Sequence, residues 1–294
     1  MTKKILVTGS TGFIGRNLLE YFSDKYELLS PKSSKLDLTN EKDVFDYLKK
    51  SNFDIVIHTA THNATATTTR DLNYVLNNNL KMFFNLEKHN DLYGKMIFFG
   101  SGAEYGRENF VAKMKEEYFG TFIPEDSYGF SKYIMSKICE NSSNIVNLRL
   151  FGVYGKYEDW RIRFISNNLC RGILNKNLSI NQNVFFDYLF IEDLCKITEW
   201  FIHNQPKYKA YNVCTGNSLD LYSIAEIIKK VTESQLPIIV KETGFKREYS
   251  GSNERLLNEL GEYSFLDMGA CIKSLCDWYL INFNSISIDS EFLR

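Results

Sequence analysis

Proline is scarce in this chain, with 4 residues in 294, while Asn, Lys, Ile and Phe are plentiful. We read that imbalance as base composition of the genome and not as function. The six cysteines, Cys139, Cys170, Cys195, Cys214, Cys271 and Cys276, include no CxxC pair, and no histidine stands at ligand spacing from any of them. They read as buried free thiols in a reducing compartment, and no metal site is expected. Charge of one sign is missing too: the formal net charge is −1, which leaves no electrostatic footprint for nucleic acid. The pairs Lys49-Lys50 and Lys229-Lys230 read as solvated helix ends. There is no run of about 18 apolar residues, so no membrane span is expected. The chain as given has no apolar leader before its first strand, and a cytoplasmic location is the expectation. Internal repeats and low-complexity linkers are also lacking. What is present is a globular balance, 44% hydrophobic and 24% charged. The length suits one large domain, or one domain with a smaller appendage.

An apolar run over 4–8 is followed by glycines and then by an apolar-periodic segment over 13–22: strand, tight loop, helix. Further strands are expected over 26–30, 54–58, 95–100 and 145–150. Helices are expected over 41–50, with Val44, Tyr47 and Leu48 on one face, over 71–90 and over 128–141. A Thr/Asn/Ala-rich loop fills 59–69. Such alternation implies an α/β, Rossmann-type, doubly wound parallel sheet. Ligands on such sheets bind outside the carboxyl ends of the strands. Past residue 155 the alternation lapses into helices over 160–171, 191–203, 223–231 and 253–260, set around short strands. We therefore expect a dinucleotide-binding domain over 1–155. Residues 156–294 would form a smaller, mixed α/β substrate-binding lobe, with some segments returning to the first domain.

The stretch Gly9-Ser10-Thr11-Gly12-Phe13-Ile14-Gly15 has the spacing GxxGxxG, between a strand and a helix. Gly9 can make the tight turn, Gly12 admits the pyrophosphate, and Gly15 allows close helix packing. The helix N-terminus then presents free N–H groups and the positive end of its dipole to phosphate. The second strand ends in Ser30-Pro31-Lys32-Ser33-Ser34, with no acid to hold a ribose 2′-hydroxyl. Lys32, the hydroxyls and Arg16 suit a 2′-phosphate instead, so NADPH is expected, with NAD(H) as the alternative. Asp37 can accept from the adenine amino group and Leu38 can cover its face.

Tyr128 and Lys132 stand four apart, on one face of a helix that Glu125, Asp126 and Ser127 can cap. A phenol titrates near 10 when free. A neighbouring ammonium and an oxidised nicotinamide would lower that value, so the pair can move a proton at a carbon–oxygen bond.

These motifs occur in order with the 99–106 stretch FGSGAEYG and the 148–155 stretch LRLFGVYG, then FDYLFIEDL over 186–194 and YNVCTG over 211–216. Together they resemble the extended short-chain dehydrogenase/reductase superfamily, in its nucleotide-sugar epimerase, dehydratase and reductase branch. The resemblance covers nearly the whole chain. It implies that Ser101 is the third catalytic residue, bonding the sugar oxygen that Tyr128 protonates, and that Lys132 also binds the nicotinamide ribose. It places Thr59, Ala60, Asn79 and Phe99 in the cofactor groove, and the backbone near Phe151 and Val153 at the nicotinamide. A homodimer through the Tyr128 helix is a further expectation from the family.

The branch has three main chemistries. Dehydratases carry an Asp-Glu pair right after the catalytic Ser or Thr, where this chain has Gly102-Ala103, with Glu104 one position late. Reductases of the GDP-fucose-synthase kind also epimerise, using a Cys and a His. The corresponding residues here are Ala103 and, by a rough count, Arg161, so that acid–base pair is absent. The expectation is an NADPH-dependent reductase of the C4 ketone of a nucleotide-linked 4-keto-6-deoxy sugar. A GDP-linked hexose or heptose is the first choice, without C3/C5 epimerisation, in surface-polysaccharide biosynthesis. An NAD-dependent nucleotide-sugar 4-epimerase is the alternative. A non-catalytic NADP-binding regulator and a reductase of flavonoid-like or steroid-like ketones are the more distant readings. Gly152 stands where the branch commonly has Asn, and Phe186 where Arg is common. Arg161, Arg163 and Arg247 are the cations expected at the diphosphate in their place, with Gly102 and Ala103 lining the sugar. The 107–122 segment reads either as a substrate-covering loop or as a surface insertion.

Overall fold

The structure is a computed structural model that describes residues 2–62 and 71–286, apart from the side chains of 283–286. The loop expected over 59–69 therefore falls within the described residues only as far as 62. The strands are β1 Lys4–Thr8, β2 Glu27–Leu29, β3 Phe53–His58, β4 Tyr93–Ser101, β5 Ile145–Leu150, β6 Gly152–Tyr154, β7 Leu178–Asn183, β8 Phe185–Phe186, β9 Tyr188–Phe190, β10 Ala210–Val213, β11 Leu219–Asp220 and β12 Ile238–Phe245. The helices are α1 Phe13–Phe22, α2 Glu41–Lys49, α3 Val75–Glu87, α4 Ser127–Asn141, α5 Phe164–Ile173, α6 Ile191–His203, α7 Leu221–Val231, α8 Glu254–Leu260 and α9 Met268–Ile286.

Six strands form one parallel sheet in the order β10-β5-β4-β3-β1-β2. Its central strands read as nearly unbroken apolar runs because helices cover both faces. Ile5, Leu6 and Val7 are buried, and so is every residue of β5. The order reverses between β1 and β3, so the loops after these two strands open on one crevice. Side-chain caps fix where helices begin. Asn40 accepts from the N–H groups of Lys42 and Asp43, and Asp220 does the same for Tyr222 and Ser223.

Beyond β6, the pairs β6–β9 and β7–β12 are parallel and β8–β11 is antiparallel. This mixed lobe is tied to the main sheet by β10, which pairs with β5. One apolar core runs from Ile5 and Leu18 through Leu169 and Ile228 to Tyr279.

Local details depart from the sequence expectations for physical reasons. The Asp159 carboxylate takes both the N–H and the guanidinium of Arg161, so α5 begins at Phe164 and not at 160. Asp71 caps a 3₁₀ turn over Leu72–Tyr74 before α3 starts at Val75. Helix α9 was not anticipated, although Cys271, Ile272, Leu275, Cys276 and Tyr279 form a buried stripe along it. Among the described residues, no helix is long and apolar enough to cross a membrane.

Candidate active site

The glycine loop is built as its spacing requires. Gly9 sits at φ +69, and a Cβ there would come within 2.6 Å of the Ala60 nitrogen. A Cβ on Gly15 would come within 2.4 Å of the Gly9 carbonyl oxygen, so helix and loop touch backbone to backbone. No side chain caps the N-terminus of α1, and its first turn holds no acid. Its orphan N–H groups are thus available to an anion, with Thr11 and Gly12 exposed beside them. This cradle fits the pyrophosphate of a dinucleotide.

The Ser10 hydroxyl donates to the Ser30 carbonyl at 3.4 Å, which holds the loop against the end of β2. Lys32 is exposed there, and its carbonyl closes a turn with Lys35 and Leu36. The Arg16 guanidinium lies 4.3 Å from the centroid of the Tyr157 ring. Asp37 is exposed, but one carboxylate oxygen already takes the N–H and hydroxyl of Thr39. Leu38 is 9% exposed and packs into the core, which leaves only its edge for an adenine. Thr59 donates to the Thr8 carbonyl at 2.7 Å, and the Ala60 N–H reaches the Thr8 hydroxyl. The Asn79 amide is spent on protein: it accepts from the His62 N–H and donates to the His62 carbonyl and the Ser131 hydroxyl. It clamps the loop after β3 onto α4.

Ser101 ends β4, and Tyr128 and Lys132 lie on α4. The Asp126 carboxylate accepts from the Gly129 N–H at 2.9 Å and starts this helix, as the capping residues suggested. Gly129 lets it approach: a Cβ would come within 2.9 Å of the Ala103 carbonyl oxygen. Tyr128 is thereby set close enough to Ser101 for the serine hydroxyl to act on its phenol. Lys132 is buried, and its ammonium donates to the Phe99 carbonyl at 2.7 Å. Burial pulls the Lys132 pKa down to about 8.

The Tyr128 phenol departs from expectation. Burial raises its pKa above the ordinary value, while Ser101, Arg107 and Arg163 pull the other way. The Lys132 ammonium faces the Phe99 carbonyl and lies 5.9 Å from the centroid of the Tyr128 ring. The lowering expected from the ammonium is therefore not supplied by the chain itself.

Behind Ser101 lies a buried polar network that sequence reasoning missed. Glu104 accepts from the Ser101 N–H at 2.9 Å and pairs with Arg149 at 2.7 Å, both side chains no more than 1% exposed. Asn147, Ser136 and Tyr105 complete it. Gly100 admits the carboxylate, since a Cβ there would overlap Glu104 Oε1. Glu104 is thus committed to holding the turn and has no free face toward a substrate. Its run of neighbours gave no sign of this, because Arg149 lies on another strand.

The wall beside Ser101 is aromatic. Ala103 is buried, and Gly102 faces Phe151 and the hydroxyl of Tyr249. A Cβ on Gly152 would come within 2.5 Å of the Phe186 ring, so an Asn at that position would displace Phe186. Val153 is half-buried in β6, which pairs with β9. Arg161 is engaged by Asp159, and Arg247 donates to the Glu108 carbonyl. Arg163, one of the three expected cations, lowers the Tyr128 pKa by its charge, and so does Arg107, which the sequence reading passed over. The 107–122 segment is pinned down: Met114 exchanges backbone hydrogen bonds with Ser250 and Ser252. All six cysteines are buried, and the described residues hold no His/Cys/Asp/Glu group that could bind a metal ion.

The model of the NAD dependent epimerase/dehydratase family matches residues 5–214. A GDP-6-deoxy-D-talose 4-dehydrogenase from Aggregatibacter actinomycetemcomitans is 26% identical over 298 residues, spanning 92% of this chain and 96% of that protein. A GDP-L-colitose synthase from Yersinia pseudotuberculosis is 24% identical, spanning 94% and 98%. The solved GDP-mannoheptose C4 reductase from Campylobacter jejuni, with NADP bound, shares the fold at a TM-score of 0.83 and 21% identity, covering 95% of this chain and 98% of that one. Because the family model matches well over half of its length, this chain belongs to the NAD dependent epimerase/dehydratase family and is an NAD(P)-dependent oxidoreductase-type enzyme.

Proposed function

We propose that the chain is an NADPH-dependent reductase of the C4 ketone of a nucleotide-linked 4-keto-6-deoxy sugar, working without C3/C5 epimerisation. The observation that carries this reading is the composition of the wall around the reacting position. Ser101, Tyr128 and Lys132 converge there, Glu104 is locked behind Ser101, and the position two residues after Ser101 is a buried Ala103. Among the described residues this supports one proton-moving group at the ketone and no acid–base pair for a stereocentre beside it.

The reduced nicotinamide, when bound, supplies hydride to C4. Tyr128 gives its phenolic proton to O4, and Ser101 donates a hydrogen bond to the same oxygen. Lys132, whose ammonium is held at the Phe99 carbonyl, is the residue we assign to the nicotinamide ribose. Lys32 and the lack of an acid at the end of β2 support a 2′-phosphate and hence NADPH. The relatives named for GDP-sugars support a GDP-linked hexose or heptose, and surface-polysaccharide biosynthesis as the setting. Arg163 and Arg107 are the cations we assign to the substrate side. A homodimer through α4 and a cytoplasmic location complete the reading.

The test is NADPH oxidation against GDP-, dTDP-, CDP- and UDP-linked 4-keto-6-deoxy sugars. Turnover of a GDP-linked member, with NADPH preferred to NADH, supports the proposal. NAD(H) retained through purification, with interconversion of 4-epimers, would establish the epimerase instead.

A further inference from the structure

The aromatic wall beside Ser101 is fixed from behind. Tyr249 lies 4.6 Å from Phe110 and 5.3 Å from Phe151, centroid to centroid. A Cβ on Gly102 would come within 2.6 Å of the Tyr249 hydroxyl and 3.1 Å of the Phe151 ring, so this wall stands directly against the residue after Ser101. Phe110 and Tyr249 belong to different segments, and Met114 joins the two. Its N–H donates to the Ser250 carbonyl at 3.0 Å, and its carbonyl accepts from the Ser252 N–H at 2.8 Å. The place of Met114 thus decides where both rings stand over Gly102.

Met114 is held in turn by Asn212. This residue is 0% exposed on β10, opposite Arg149 of β5. Its side-chain nitrogen donates to the Met114 carbonyl at 2.8 Å, and its backbone N–H donates to the Glu116 carboxylate at 2.9 Å. Its Oδ1 accepts from the Tyr105 hydroxyl at 2.7 Å. The Tyr105 oxygen accepts from Arg149, Arg149 pairs with Glu104, and Glu104 takes the Ser101 N–H. A continuous chain of buried hydrogen bonds therefore runs from the Ser101 backbone to Met114. An amide closes it because it accepts on one side and donates on the other. Leaving either partner unpaired in so dry a place is costly. We infer that Asn212 is a positioning residue for the sugar side of the site: it locks the segments that carry Phe110 and Tyr249 to the turn that carries Ser101, and so fixes the aromatic wall over Gly102. The kinetic test of this inference rests on the ketone-reductase reading; hydrogen exchange supplies one that does not.

Asn212→Ala removes the side-chain donor and acceptor and keeps the backbone N–H. On the sugar that the wild type reduces, KM should rise about tenfold, with kcat and the NADPH Kd within about twofold, because binding is loosened and the chemical step is not. In a Phe110→Ala background the same change should raise KM no further, since the ring it positions is already gone. Hydrogen exchange, read by mass spectrometry in the NADPH complex, should be about tenfold faster over 106–118 and unchanged over α4 and β3. A general loss of stability would speed all three regions together. Tyr105→Phe cuts the same chain one bond earlier and keeps the ring, so it should show the same pattern, and it carries the test if Asn212→Ala does not fold. Wild-type KM, a fall in kcat alone, a full multiplicative effect in the double variant, or exchange over 106–118 that is unchanged or rises only with the rest of the chain would each overturn the inference. If the wild type reduces no 4-keto sugar, the reductase reading fails, and the exchange pattern still decides the role of Asn212.

Discussion

Replacing Arg149 by Met should destabilise the protein by about 3–5 kcal/mol, the usual cost of breaking a buried ion pair. The side chain is 1% exposed. Its Nε meets Glu104 at 2.7 Å, and its terminal nitrogens meet Tyr105 at 3.2 Å and Ser136 at 2.9 Å. Met fills much of the volume but leaves the fully buried Glu104 carboxylate with only the Asn147 amide and the Ser101 N–H as donors. Domains are commonly stable by about 5–15 kcal/mol, so the loss is a large share. In equilibrium urea unfolding the midpoint should fall with the slope unchanged. The melting temperature should drop by roughly 10 °C. Glu104→Leu combined with Arg149→Met removes both charges and should recover part of the loss. An Arg149→Met protein within about 1 kcal/mol of wild type, or a double variant less stable than the single, would refute the assignment of an ion pair that holds the Ser101 turn.

Two further outcomes follow from the cofactor and proton sites. Lys32→Ala should weaken NADPH binding by about tenfold to a hundredfold and leave NADH unchanged, because one charge-assisted hydrogen bond to the 2′-phosphate is lost; calorimetry with both cofactors checks it, and equal losses would remove Lys32 from that site. Lys132 titrates near 8 when folded against 10.5 when free, so the unfolded chain binds more protons between those values. Its contribution to stability should therefore rise as pH increases from about 8 to 10.5, by on the order of 3 kcal/mol, relative to Lys132→Met. A flat difference between the two proteins across that window would contradict the buried ammonium.

What could be read from the sequence was what local spacing carries. The glycine loop works through contacts among residues six apart, and Tyr128 with Lys132 needs only one helical turn. The parallel strands announced themselves by unbroken apolar runs. By contrast, Glu104 has no local partner; its meaning comes from Arg149 and Asn147, delivered by the neighbouring strand. Tyr249 meets Gly102 only because β8 and the 107–119 turns hold its segment in place. Arg161 looked like a free cation until Asp159, two residues before it, proved to be its partner. Helix α9 shows the stripe of a buried helix, but three of its core positions are Cys or Tyr, which blurs the apolar period.

The central claim is a C4 reduction with one proton-moving phenol and no second acid–base pair. It is tested most directly by running the reaction on the accepted 4-keto sugar in D₂O with unlabelled NADPH and reading the product by NMR. The product should carry protium at C4, delivered from the cofactor, and no deuterium at C3 or C5 beyond that seen with Tyr128→Phe. Deuterium at C3 or C5 above that control would contradict it.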